Sequence, residues 1–124
     1  MFGQTKAFSG FSVDDVEKAR GFYGETLGID TSLEHGILTL ELAGGERPTL
    51  VYPKPDHTPA DYTILNFPVE DIDATVDELS AKGVIFERYE GFVQDERGVM
   101  REEGPYIAWF KDPAGNVLSV LQER

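Results

Sequence analysis

Glu41, Tyr89, Arg101, Ser119 and the two histidines, His35 and His57, are side chains whose types suit chemistry as well as packing. A carboxylate at Glu41 with the phenol of Tyr89 or the guanidinium of Arg101 beside it would make an acid–base site, because proton transfer needs donor and acceptor within hydrogen-bond reach. His57, Glu41 and a third carboxylate would make a divalent-metal site. Each group also has a plainer reading. His57 sits in the proline-rich stretch Pro53-Lys-Pro-Asp-His-Thr-Pro and His35 just before Gly36, so both read as exposed. Ser119 has no histidine beside it in sequence, which leaves a nucleophile triad without support. The chain contains no cysteine, which excludes disulfides, a thiolate nucleophile, iron–sulfur clusters and zinc ribbons. Gly44-Gly45 belongs to a hairpin turn rather than a strand-to-helix junction, so it is no phosphate cradle.

Charge narrows the partners. With 23 acidic against 11 basic side chains the formal charge is -12, a field that repels phosphate backbones and anionic lipid and attracts cations. No nucleic-acid partner is expected. No stretch approaches the roughly 18 apolar residues of a membrane span and no basic-then-apolar leader opens the chain, so a membrane is not expected and a cytoplasmic location is. At 124 residues, with 40% hydrophobic side chains, 8 Phe, 5 Tyr and 1 Trp, the chain has enough apolar surface for one core or two small halves.

The elements that would position these groups come in two copies. Phe11-Ser-Val-Asp-Asp-Val aligns without a gap on Phe67-Pro-Val-Glu-Asp-Ile. Each copy has an alternating strand (6–13 and 62–69), an acidic turn, and a segment of helical period that closes on glycine, at Gly28 and Gly83. Asp15 and Asp71 suit the caps, since a carboxylate there accepts from free amides at the positive end of the helix dipole. Val16, Ala19, Phe22, Tyr23 and Leu27 share one face of the first helix, as do Ile72, Val76 and Leu79 of the second. Hairpins follow: Ile37 to Leu42 and Thr49 to Tyr52 around Ala43-Gly44-Gly45, then Tyr106 to Phe110 and Val117 to Leu121 around Asp112-Pro-Ala-Gly-Asn116. Each half therefore reads as βαβββ. A single domain, 1–124, divides into a first module at 1–53, a connector at 54–61 and a second module at 62–124.

The doubled unit, Val13-Asp14-Asp15 before a helix carrying Phe22-Tyr23 and Leu27-Gly28, and the closing Asp112-Pro-Ala-Gly-Asn116 resemble the vicinal oxygen chelate superfamily of glyoxalases, bleomycin-resistance proteins and extradiol dioxygenases. The resemblance implies an α+β fold in which two βαβββ repeats form curved mixed sheets around a cleft, often in a homodimer. Catalytic members place four metal ligands, His, Gln or Glu, on the cleft face of equivalent strands. Carried over by position, these fall on Phe8, Ile64, Ser119 and, near the end of the first hairpin, Val51, or Tyr52 if the register slips by one. None offers the imidazole or carboxylate that a borderline divalent metal requires. No metal and no cofactor are expected.

Strand alternation sorts the remaining side chains. Leu65, Phe67 and Val69, and likewise Phe11, Val13, Leu38, Leu40 and Leu42, belong under the helices. Phe8, Gly10, Ser12, Ile37, Thr39, Glu41, Ile64, Asn66, Pro68, Ile107, Trp109, Val117, Ser119 and Leu121 face the cleft. The segment 87–104 carries mixed charge, Gly91, Gly98 and Gly104, and isolated Phe92, Val93 and Met100, which read as a loop. Closing as a lid, it would bring Arg88, Tyr89 or Arg101 to a ligand. The expected ligand-binding set is therefore Phe8, Thr39, Glu41, Asn66, Arg88, Tyr89, Arg101, Ile107, Trp109 and Ser119. A mostly apolar wall with a few polar groups suits a small apolar or aromatic molecule, and the negative field would favour a cationic one. Two other readings stand beside this binder: a glyoxalase-like lyase, isomerase or dioxygenase using an unusual metal or acid–base site, and a structural or regulatory dimer module with an idle cleft.

Overall fold

Two aspartates start the two helices, and the chain is organised around them. The computed structural model describes residues 1–102 and 104–124. In chain order the elements are β1 (Ser9–Val13), α1 (Val16–Arg20), β2 (Thr31–Glu34), β3 (Ile37–Leu42), β4 (Arg47–Pro53), β5 (Thr63–Pro68), α2 (Ile72–Ala81), β6 (Tyr106–Lys111) and β7 (Val117–Gln122). They gather into two compact units, Met1–Thr58 and Pro59–Arg124. Among the described residues no helix is long and apolar enough to cross a membrane.

In the first unit the strands run β1-β4-β3-β2, with β1 parallel to β4 and the others antiparallel. Asp15 caps α1, its Oδ1 accepting from the amides of Glu17 (3.0 Å) and Lys18 (3.2 Å). The sequence predicts an unbroken helix to Gly28. Instead α1 widens into a π-helical turn over Gly21–Thr26, with the Leu27 amide reaching the Phe22 carbonyl at 3.0 Å. Gly21 and Gly24 weaken the α-helix there. The wide turn leaves Tyr23 fully buried, with Phe22 edge-on at 5.3 Å and Phe11 at 5.8 Å. Gly28 then leaves the helix at φ +71°, a backbone that other residues adopt at a cost. Val13, Leu38, Leu40 and Val51 complete this core.

In the second unit the order is β5-β7-β6, with β5 parallel and β6 antiparallel to β7. Asp71 Oδ1 accepts from the Ala74 amide at 3.1 Å, and Gln122 Oε1 from the Ile72 amide at 2.9 Å, which ties the end of β7 to the start of α2. Ile72, Val76 and Leu79 pack onto a layer of Ala108, Phe110, Leu118 and Val120. This sheet has three strands where the repeat predicts four. Among the described residues the stretch between α2 and β6 pairs with β6 through isolated bridges, Phe86 to Phe110 and Met100 to Ile107, rather than a continuous ladder. Gly91 and Gly98, both with positive φ, interrupt the alternation that a continuous ladder needs.

The β6–β7 turn is held from inside. Asp112 and Asn116 are only 5% and 2% exposed. Asp112 Oδ1 accepts from the amides of Ala114 and Asn116, both at 2.9 Å, and Oδ2 from Asn116 Nδ2 at 3.0 Å. Replacing Asp112 with Ala strips buried donors of this partner, which costs about 1–3 kcal/mol per donor left unsatisfied. The expected outcome is a lower urea midpoint with an unchanged slope, read by circular dichroism.

Candidate functional site

On the face of the second sheet turned away from α2, one row of paired residues runs across all three strands: Asn66 opposite Ser119, and Ser119 opposite Trp109. Ser119 is fully buried and its hydroxyl donates to Asn66 Oδ1 at 2.6 Å. A bulge between Thr63 and Leu65 shifts the strand by one residue, so Thr63, not Ile64, is in register with Val117. Where Ile64 was expected, Thr63 is the residue paired with Val117 and lining the pocket. Tyr89 and Phe92 lie against Trp109, with ring centroids 5.6 and 5.4 Å from the indole and 5.9 Å from each other. Together with Tyr62, Thr63 and Val117 these rings line a pocket of ≈ 400 Å³, and Asp61 adds a carboxylate to its wall. Four aromatic side chains and one acid in a concave site offer stacking faces and an attraction for positive charge.

The loop that carries Tyr89 and Phe92 is built by side chains in place of a strand ladder. Gln94 Oε1 accepts from the Tyr89 amide at 2.9 Å, while Nε2 donates to the carbonyls of Glu87 (2.9 Å) and Gly98 (2.8 Å). The Glu87 amide donates to the Trp109 carbonyl at 2.8 Å. Asp95 Oδ1 accepts from the amides of Arg97 and Val99, both at 2.9 Å. Arg97 grips Asp77 of α2 with two hydrogen bonds, at 2.9 and 3.1 Å, which holds that carboxyl below its usual range. Burial pushes the Tyr89 phenol up, and Glu87 adds to the effect.

Two expected ligand contacts are engaged elsewhere. Arg101 donates to Asp95 Oδ2 at 3.0 Å and to Asp73 Oδ1, and its guanidinium lies over Tyr106, whose ring belongs to the α2 side of the sheet. Arg88 donates to the Glu96 carbonyl at 2.9 Å. Both arginines hydrogen-bond within the loop, and of the three residues expected to reach a ligand from it Tyr89 is the one that lines the pocket. Ile107 shares the Trp109 face but does not line the pocket.

In the first unit, Thr39 and Glu41 share the face away from α1 with Leu50 and Pro48, as alternation predicts. Both are half-buried. Phe8 lies before β1 rather than in it and is 64% exposed. Val51 pairs with Leu38 and Phe11 in the core, whereas Tyr52, opposite Ser12, takes the outer face. Of the two positions considered for a fourth metal ligand, Tyr52 is therefore the one on that face. A polar pocket of ≈ 520 Å³ beside the π-helical turn, lined by Arg20, Glu25 and Asp30 among others, involves none of the expected residues.

Sequence reasoning missed Asp61, Tyr62, Thr63 and Phe92. Tyr62 was legible as an aromatic beside a strand start, but nothing marked the bulge that aligns its neighbour with Val117.

The donor set does not fit the metal that the resemblance implies. A phenyl ring, an aliphatic chain, a phenol and a hydroxyl already bonded to an amide are poor partners for a borderline cation. Among the described residues no three His, Asp or Glu side chains are grouped so as to hold an ion.

Two mixed sheets of four and three strands with two helices make this an α+β protein. Residues 7–120 match the model of the Glyoxalase/Bleomycin resistance protein/Dioxygenase superfamily, and the chain belongs to that family. Among solved structures it is similar to TnmS3, an antibiotic binding protein from Streptomyces sp. CB03234, at 26% identity over 98% of each chain with a TM-score of 0.73. It shares its fold with a superfamily member from Sphaerobacter thermophilus (24% identity, 94% of this chain and 96% of that one, TM-score 0.71). The fosfomycin resistance protein FosX from Mesorhizobium loti shares the fold as well, at 10% identity over 98% and 93% of the chains with a TM-score of 0.66. Among curated proteins none matches.

The loop's acid sensitivity follows from Asp95. Burial pushes this carboxyl up, but the amides of Val99 and Arg97 and the Arg101 guanidinium outweigh it and hold the pKa below its ordinary value. A carboxyl whose folded pKa is depressed stabilises above its unfolded pKa, about 3.9, and that contribution is lost as pH falls through the folded value. Urea midpoints measured from about pH 5 to about pH 2 should fall, and Asp95→Asn should flatten part of that decline.

Proposed function

We propose that this chain binds a planar aromatic small molecule, without a metal, in the pocket formed by Tyr62, Tyr89, Phe92 and Trp109. The observation that carries the reading is the three-ring cluster around Trp109, open on a concave site rather than sealed in a core. Aromatic faces at these separations supply affinity through area and stacking, and they tolerate variation in ring chemistry. Asp61 and the net charge of -12 favour a ligand with a positive group. The similarity to TnmS3, an antibiotic binding protein, supports small-molecule binding by this chain.

Trp109 is the sole tryptophan, so its fluorescence reports on the pocket. Titration with matched neutral and cationic planar compounds, a naphthalene and an acridinium, should quench the emission and raise the melting temperature. At a ligand concentration of one hundred times Kd the stabilisation is about 2.7 kcal/mol. Trp109→Ala should weaken binding by about 2 kcal/mol or more, as expected for a central aromatic anchor. Asp61→Asn should weaken the acridinium and spare the naphthalene. A melting shift that survives Trp109→Ala in a folded protein would move the site elsewhere.

A further inference from the structure

Ser12 and His57 are 45 residues apart in sequence, yet Ser12 Oγ lies 2.6 Å from His57 Nδ1. β1 presents Ser12 on the sheet face away from α1, opposite Tyr52 in the β1–β4 register. The segment after β4 then folds back. The Lys54 amide donates to the Val13 carbonyl and the His57 amide to the Lys54 carbonyl, both at 2.9 Å, closing a turn next to the serine. Lys54 Nζ pairs with Asp56 at 2.8 Å across that turn, and Pro53 and Pro55 restrict the backbone that carries the imidazole. Both side chains are half-buried, so a small reagent can reach them while the imidazole is held in place. A hydroxyl and an imidazole within hydrogen-bond reach, the imidazole on a constrained turn, form the core of a nucleophile–base pair.

We propose that Ser12 is a nucleophile with His57 as its general base, and that the pair accepts acyl groups from small activated esters. With the ring proton on Nε2, Nδ1 accepts the hydroxyl hydrogen. As Oγ attacks the ester carbonyl, the Oγ–C bond forms and the hydroxyl proton passes to Nδ1. The bond from the acyl carbon to the leaving oxygen breaks, its electron pair leaving on an aryloxide, and the imidazolium returns its proton to that oxygen or to water. Water then attacks the acyl-serine, giving a proton to Nδ1, and the carboxylic acid departs as Oγ recovers its hydrogen. The pair suits esters with stable leaving groups, because a good leaving group needs less stabilisation of the developing oxyanion. This activity is independent of ligand binding at Trp109.

The test uses p-nitrophenyl acetate with the intact chain, following nitrophenolate release and mapping the acetyl group by peptide mass spectrometry. An acetyl adduct on Ser12, absent in Ser12→Ala, is expected. Formation of the adduct should slow by about 100-fold or more in His57→Ala, the size of a general-base contribution. Added imidazole should restore part of the Ser12 labelling in that variant, which a histidine with only a structural role would not allow. The proposal is overturned if the wild-type protein is acetylated only on lysines or the amino terminus. It is overturned equally if Ser12 labelling is undiminished in His57→Ala. Should that variant melt early, the wild-type adduct map decides by itself.

Discussion

A strand displaced by one residue turns each of its side chains to the other face of its sheet. The pairing of β5 with β7 is where this constraint bears hardest on the chain. A bulge follows Thr63, and beyond it every partner is set: Leu65 and Phe67 turn toward α2, while Asn66 turns toward Trp109 through Ser119. The hydrogen bond from Ser119 to Asn66 marks this register with a polar contact that a slipped pairing would break. On the far side of β7, the Asp112 turn fixes β6 with hydrogen bonds between two buried side chains and the turn's amides. The aromatic pocket exists because both registers hold.

The loop over Trp109 answers a different problem. A segment rich in glycine and charge cannot satisfy its backbone through a ladder, and its amides and carbonyls still need partners where they are shielded from water. Gln94 and Asp95 supply them, reaching Tyr89, Glu87, Gly98, Arg97 and Val99. Arg97 and Arg101 turn outward to acids on α2, where exposed ion pairs add little stability but fix where the loop lies. Polar side chains thus do the positioning, and aromatic ones are left for the pocket.

Much of this architecture was legible in the sequence because it rests on local periodicity. The repeat, the aspartate caps, the closing glycines and the helix-facing rows of Leu38, Leu40, Leu65 and Phe67 all follow from periods of two and 3.6. What escaped depends on contacts between distant segments. The bulge that favours Thr63 over Ile64, the face of Val51 against that of Tyr52, and the loss of a fourth strand in the second sheet have no local signature. Arg88 and Arg101 were assigned to a ligand because charge in a loop reads the same whether it meets a solute, the loop's own backbone or a neighbouring helix. His57 was placed at the surface for want of any sequence sign that Ser12 would lie beside it.

Trp109 enters the second unit twice, by its indole and by its main chain. The ring forms the floor on which Tyr89 and Phe92 rest, and the carbonyl receives the amide of Glu87 at the root of the loop. The mooring needs no particular side chain at position 109, since any residue supplies the carbonyl. Evolution is therefore able to exchange the floor for one of another size, altering which molecules are accommodated, while the tether above it stays fastened.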